Sequence, residues 1–260
     1  MQDGFPTTAR VVIVGGGIMG VGAAFHLAEL GWGEETVLLE KAELTSGSTW
    51  HAAGQITHST SAVGLGRCVD YNIKLYSGAL ERMSGQAVTW HGCGSLRLAY
   101  SDDEMDWLRH TLSVGRGLGF NIALVDPPTI KKLHPYYDLE GVQGALHTPD
   151  DGHVDPTNVT QAMATCARLG GVRIMRRTRA TNITRQHGEW VIETDKGTIL
   201  CEHVINAGGT YARQMGEWSG LQLPMTSMTH HYFVTQDVPG FAAQRRILRV
   251  ASIKIHFSTI

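Results

Sequence analysis

The chain has 260 residues, 42% of them hydrophobic, enough to bury a substantial core as one large domain or two interleaved ones. With 22 Lys and Arg against 24 Asp and Glu the net charge is −2, and no basic block suits a nucleic-acid backbone. No segment approaches the roughly 18 apolar residues of a membrane span, the four cysteines lack Cys-x-x-Cys spacing, and the start carries no leader pattern. A soluble protein of a reducing compartment is expected, the cytoplasm or, in a eukaryote, the mitochondrial matrix.

The first element is a β-branched run, Val11–Val14, which reads as a buried strand. It feeds Gly15-Gly16-Gly17-Ile18-Met19-Gly20, a match to the G-x-G-x-x-G dinucleotide fingerprint. In that pattern Gly15 allows the tight turn, Gly17 admits a pyrophosphate close to the backbone, and Gly20 lets the following helix pack on the strand. The helix, from Ile18 to about Leu30, aims its N-terminal amides at the phosphates. The next strand, Thr36–Leu39, ends in Glu40, at the offset where an acid takes ribose hydroxyls. A carboxylate there disfavours a 2′-phosphate and so argues against NADP; NAD and FAD both remain.

A polar loop spans Thr45 to Thr60, and a helix is expected from about Ala62 to Met83. Val88 to Tyr100 reads as a hairpin bending near Gly92-Cys93-Gly94, Asp102 and Asp103 as caps of a helix reaching Leu118, and Asn121–Val125 as a short strand. Asp155-Pro156 is a helix start, an acidic N-cap with proline at the first helical position, for a helix to Leu169. Just before it, Asp150-Asp151-Gly152-His153 lacks the spacing of a calcium loop, and no metal is expected. Val172–Met175, Ala180–Arg185, Trp190–Thr194 and Ile199–Val204 alternate with turns and read as a β-meander, which ends in Ile205-Asn206-Ala207-Gly208-Gly209. Arg176, Arg177 and Arg179 read as a solvated face. A last strand, from about Gln222 to Thr235, places His230 and Tyr232 on one face and His231 on the other.

Taken as a set, several segments resemble the FAD-dependent amine-oxidising flavoproteins of the dimethylglycine and sarcosine dehydrogenase family, within the D-amino-acid-oxidase-like group. They are Gly15 to Gly20, Glu40-Lys41, Leu44 through Ser48-Thr49-Trp50-His51-Ala52-Ala53-Gly54, Gly94 to Leu98, Asp151 to Pro156, Asn206 to Gly209 and His230-His231-Tyr232. The resemblance runs from about Ala9 to Gln244. It implies an α/β fold in which a Rossmann-like FAD-binding domain is interleaved with a substrate domain built on an antiparallel or mixed sheet. Residues 1–60 and 151–220 would form the FAD-binding part, 61–150 mostly the substrate domain, and 221–260 the start of its sheet.

The same resemblance implies FAD bonded covalently through His51, and hydride transfer from the N-methyl group of dimethylglycine or sarcosine to the flavin. The chemistry suits a neutral imidazole, which is nucleophilic near pH 7. Ser48 and Thr49 would hold the flavin or pyrophosphate or bond within the loop, Thr181 would meet the adenine, Gly208 would let the backbone approach the cofactor, and Lys41 follows the ribose acid. Tyr232, with His230 beside it, would face the substrate, and an electron-transfer flavoprotein is a possible electron acceptor. The family's sheet and its final glycine-rich flavin loop continue where this chain stops at Ile260, and Arg245 to Ile260 departs from the family pattern, so weak stability is expected of a truncated chain. An NAD-dependent dehydrogenase would share the glycine turn and Glu40 but leave the His51 segment unexplained. A catalytically silent regulatory relative would retain the fold without turnover.

Overall fold

The computed structural model describes residues 4–229, 231 and 247–250. Its elements are β1 (Thr8–Val14), α1 (Ile18–Glu29), β2 (Thr36–Leu39), β3 (Gln55–Ile56), α2 (Val63–Lys74), α3 (Leu80–Ser84), β4 (Ser95–Ala99), α4 (Asp102–Gly117), β5 (Ala123–Val125), α5 (Pro127–Leu133), β6 (Gly144–Thr148), β7 (Gly152–His153), α6 (Pro156–Leu169), β8 (Arg173–Met175), β9 (Ala180–Gln186), β10 (Glu189–Thr194), β11 (Gly197–Asn206), α7 (Ala212–Trp218) and β12 (Ile247–Val250). The chain passes back and forth between two compact units. One comprises Met1–Ala53, Leu80–Thr89 and Asp155–Tyr232; the other comprises Gly54–Ala79, Trp90–Val154 and Phe233–Ile260.

The first unit is built on a six-stranded sheet in the order β8-β2-β1-β11-β10-β9. Strand β1 lies inside it, parallel to both β2 and β11, which is why Val11–Val14 is apolar on both faces. Alternate residues Val12, Val14, Val37 and Leu39 share one face with Ile183, Ile192, Ile199, Cys201 and Met215. Strands β9, β10 and β11 are the antiparallel meander. Val172–Met175 does not join it: as β8 this segment pairs parallel with β2 at the opposite edge, Val37 beside Arg173, so the meander has three strands rather than four. Helix α6 starts as its sequence indicates, with the Asp155 carboxylate accepting from Asn158 N at 2.9 Å and proline in the first turn.

The second unit holds a four-stranded mixed sheet in the order β12-β4-β6-β5. Leu96, Leu98 and Ala145 bury against Ile130 of α5, while Ala99 and Leu146 bury with Leu108 of α4 and Ile122. The expected hairpin over Val88–Tyr100 is absent. Strand β4 pairs instead with β6, Leu96 opposite His147, and the stretch before it makes a bridge between His91 and His153. Helix α4 is capped by Ser101, whose hydroxyl accepts from Glu104 N at 3.3 Å; Asp102 and Asp103 lie in the first turn, where they meet the positive end of the helix.

The helix expected over Ala62–Met83 is interrupted. It ends at Lys74, and a distorted turn over Leu75–Ala79 follows, in which Gly78 has φ +140°, a conformation open to glycine and hostile to a continuing helix. Helices α5 and α7 and strand β6 have no counterpart in the reading of the sequence. Residues 221–229 form no regular element, so the strand expected from Gln222 is not present over its described part. His230 and Tyr232 lie outside the described residues. Among the described residues no helix is long and apolar enough to cross a membrane.

Candidate functional site

In the first unit the glycine turn is closed tightly. Gly15 has φ +122°, and a Cβ on it would lie 2.2 Å from the carbonyl oxygen of Ala207, so the turn sits directly against the end of β11. A Cβ on Gly20 would lie 1.9 Å from the Gly15 carbonyl oxygen, which is the close helix-on-strand packing that this position demands. The Glu40 carboxylate, at the end of β2 and largely buried, accepts from Gly16 N at 2.7 Å and from Ala42 N at 2.8 Å. An ionised carboxylate has about four acceptor sites. Two backbone amides therefore fix its position and leave capacity for hydroxyl donors.

A cavity of about 310 Å³ opens beside this turn, walled by Gly15, Glu40, Lys41, Thr178 to Thr181, Gly208 and Tyr211, with Met215 and Trp218 of α7 adding apolar surface. Five of the expected residues meet here: Gly15, Glu40, Lys41, Thr181 and Gly208. The Lys41 ammonium lies 3.5 Å from the centre of the Tyr211 ring, and its hydrogen bond and charge hold the Tyr211 phenol below its usual pKa. An acid for hydroxyls, a glycine turn opening a helix, and flat apolar walls fit the adenosine-diphosphate half of a dinucleotide. Tyr211, Met215 and Trp218 were not foreseen; the Asn206-Ala207-Gly208-Gly209 motif just before them was the available signal.

The other expected residues stand apart from that cavity. Gly17 and Gly20 support the turn, and Ser48 is exposed beside Gly209, Thr210 and Arg213, where it lines a second cleft. Thr49 faces inward: its hydroxyl accepts from Ile18 N at 3.0 Å. His51 is exposed, its ring 3.9 Å from that of Trp50.

A second polar centre lies wholly within the other unit. Asp151 is fully buried, and one of its oxygens accepts from both His58 N (3.0 Å) and His58 Nδ1 (2.7 Å), while the other accepts from Ser95 Oγ at 2.5 Å. On the far side of the ring, His58 Nε2 is 3.7 Å from Asp70, which is in turn bonded to Lys74 at 2.6 Å. Burial disfavours charge on His58, but Asp151 and Asp70 outweigh it and raise its pKa above 6.5. Asp151 stands in the segment considered above for a metal; the structure gives its carboxylate to His58 and Ser95 instead.

Comparison with known proteins agrees with the cavity. The family described as "FAD dependent oxidoreductase" matches residues 10–258. Dimethylglycine dehydrogenase of Rattus norvegicus is 37% identical over 93% of this chain, and sarcosine dehydrogenase of Mus musculus is 31% identical over 90%. The chain spans 28% and 26% of the lengths of these two relatives. Among solved structures, L-proline dehydrogenase from P. horikoshii superposes with a TM-score of 0.76 at 27% identity, covering 83% of this chain and 57% of that one. The match spans nearly the whole chain and takes in the glycine turn, Glu40 and the end of the meander, and it selects FAD over NAD: the chain belongs to the family of FAD-dependent oxidoreductases.

Proposed function

We propose that the chain binds FAD in its first unit and serves the oxidation of an N-methylated glycine, dimethylglycine or sarcosine, with the flavin attached through His51. The observation that carries this reading is the cavity in which the glycine turn, the Glu40 carboxylate and the Thr178–Thr181 segment converge. Bound FAD would supply the redox chemistry, taking a hydride from the N-methyl carbon. Glu40 accepts the ribose hydroxyls while still receiving the Gly16 and Ala42 amides. Gly15 and Gly17 keep side chains away from the pyrophosphate, Gly20 holds α1 against the turn, and the positive end of α1, whose Ile18 amide is given to Thr49, faces the negative charge.

Lys41 borders the adenosine end, the Thr181 backbone meets the adenine, Gly208 keeps the wall thin, and Ser48 offers a hydroxyl from the loop. His51 contributes a ring nitrogen as the nucleophile. Tyr232, as the phenol for the substrate carboxylate or nitrogen, and His230 are the proposed substrate-side residues. An electron-transfer flavoprotein is the proposed acceptor of the electrons. Anaerobic titration of the FAD-loaded chain with dimethylglycine and then sarcosine tests the reading. Bleaching of the flavin band by either supports it. A chain that takes up no flavin refutes it, and bound flavin that neither amine bleaches removes the assignment of the substrate.

A further inference from the structure

Helix α1 begins without a local cap, because its N-cap residue is Gly17 and has no side chain. The missing acceptor comes from 31 residues further along the chain: Thr49 Oγ1 accepts from Ile18 N at 3.0 Å, and a Cβ on Gly17 would already touch that oxygen at 3.0 Å. Thr49 is only 8% exposed, in a loop whose neighbouring residues Trp50 and His51 are both exposed. Its carbonyl accepts from Ala52 N at 3.2 Å. That bond closes a four-residue turn in which Trp50 and His51 are the two central residues. The start of the loop is tied to the same place, since Thr45 N donates to Gly16 O at 3.0 Å.

We propose that Thr49 is a positioning residue for flavin attachment: its hydroxyl, fixed on the first turn of α1, sets where the His51 imidazole stands. This rests on the reading of His51 as the attachment residue. Thr49 accepts the Ile18 amide, and its own carbonyl closes the turn that carries Trp50 and His51, so a hydroxyl fixed on α1 is joined directly to the segment that presents the imidazole. In the attachment step a His51 ring nitrogen forms a bond to the flavin 8α carbon. The hydrogen replaced on that carbon and the imidazole N–H both leave as protons. The electron pair stays on the flavin, which is reduced by two electrons, so bond formation needs no other oxidant.

The test measures the rate at which FAD becomes acid-stable on the full chain at saturating FAD, with non-covalent occupancy and melting temperature recorded for each variant. Thr49→Val keeps the shape and removes the acceptor; attachment is expected to slow roughly tenfold, the value of one such hydrogen bond. Thr49→Ser keeps the acceptor and is expected to attach at the wild-type rate, and Thr49→Ala replaces the valine variant if that one does not fold. Thr49→Val or Thr49→Ala attaching as fast as wild type, or Thr49→Ser attaching as slowly as they do, overturns the proposal and leaves the His51 reading intact. Acid-stable flavin that persists in His51→Ala, or a wild-type chain that binds FAD and never attaches it, overturns the His51 reading itself.

Discussion

The two polar centres of this molecule are organised in opposite ways. At the glycine turn the anchoring groups are mostly backbone, the carboxylate of Glu40 retains acceptor capacity, and a cavity lies alongside. At Asp151 the carboxylate is fully buried and is satisfied by the side chains of His58 and Ser95 together with the His58 amide. The first arrangement leaves a place for a ligand, whereas the second is complete without one. A carboxylate therefore marks a binding site when its partners leave lone pairs over beside a cavity, and a structural centre when they use its capacity within the core.

The sharpest way to break this contrast is at Asp151. Asp151→Ala leaves the His58 ring, the His58 amide and the Ser95 hydroxyl without their buried acceptor, and is expected to cost about 1–3 kcal/mol for each buried donor left unsatisfied. Against a total of about 5–15 kcal/mol that is a large fraction, so the urea midpoint falls steeply, and saturating FAD does not restore it to the wild-type value. A change below about 1 kcal/mol, the scale of an exposed ion pair, would mean that the centre is not a structural hub.

Gly20→Ala probes the other region with a smaller effect on stability and a larger one on the ligand. Its Cβ would collide with the Gly15 carbonyl, so α1 must move off the turn. A loss of about 1–3 kcal/mol is expected, together with a marked fall in FAD affinity measured by fluorescence quenching. Unchanged affinity would separate the turn from the binding site.

The pKa of His58 is raised in the folded protein, so the stability it contributes is fully present below 6.5 and is lost as pH rises through its folded value. Urea midpoints followed upward from pH 6 should therefore drop in wild type and drop less in His58→Gln. Parallel profiles for the two proteins would contradict the bridge between Asp151 and Asp70.

The difference between the regions also explains what was legible in the sequence. Val11 to Glu40 could be read because the strand, the glycine spacing, the helix and the acid are local and each position has its own mechanical reason. Asp155 was legible for the same reason, its partner being Asn158, three residues away. The family resemblance carried the cofactor from either dinucleotide to FAD. The Asp151 centre was not legible, since His58 is 93 residues from Asp151 and Ser95 is 56, and no periodicity links them. Distance likewise hid the pairing of β4 with β6, whose Ser95 and Thr148 are opposed across some fifty residues of chain. The break after Lys74 escaped because an isolated glycine inside a helical pattern, here Gly78, is compatible with either outcome. Thr49 was recognised as a site residue but with two roles open, and only its inward orientation assigns the hydroxyl to Ile18.

Covalent FAD on His51 is tested by the intact mass of the FAD-loaded chain after acid denaturation, taken with its visible spectrum. The expected result is a flavin absorption band and a mass higher by one FAD that survives denaturation and is absent in His51→Ala. A colourless chain with the mass of the polypeptide alone, at FAD concentrations that saturate flavoproteins of this family, would contradict it.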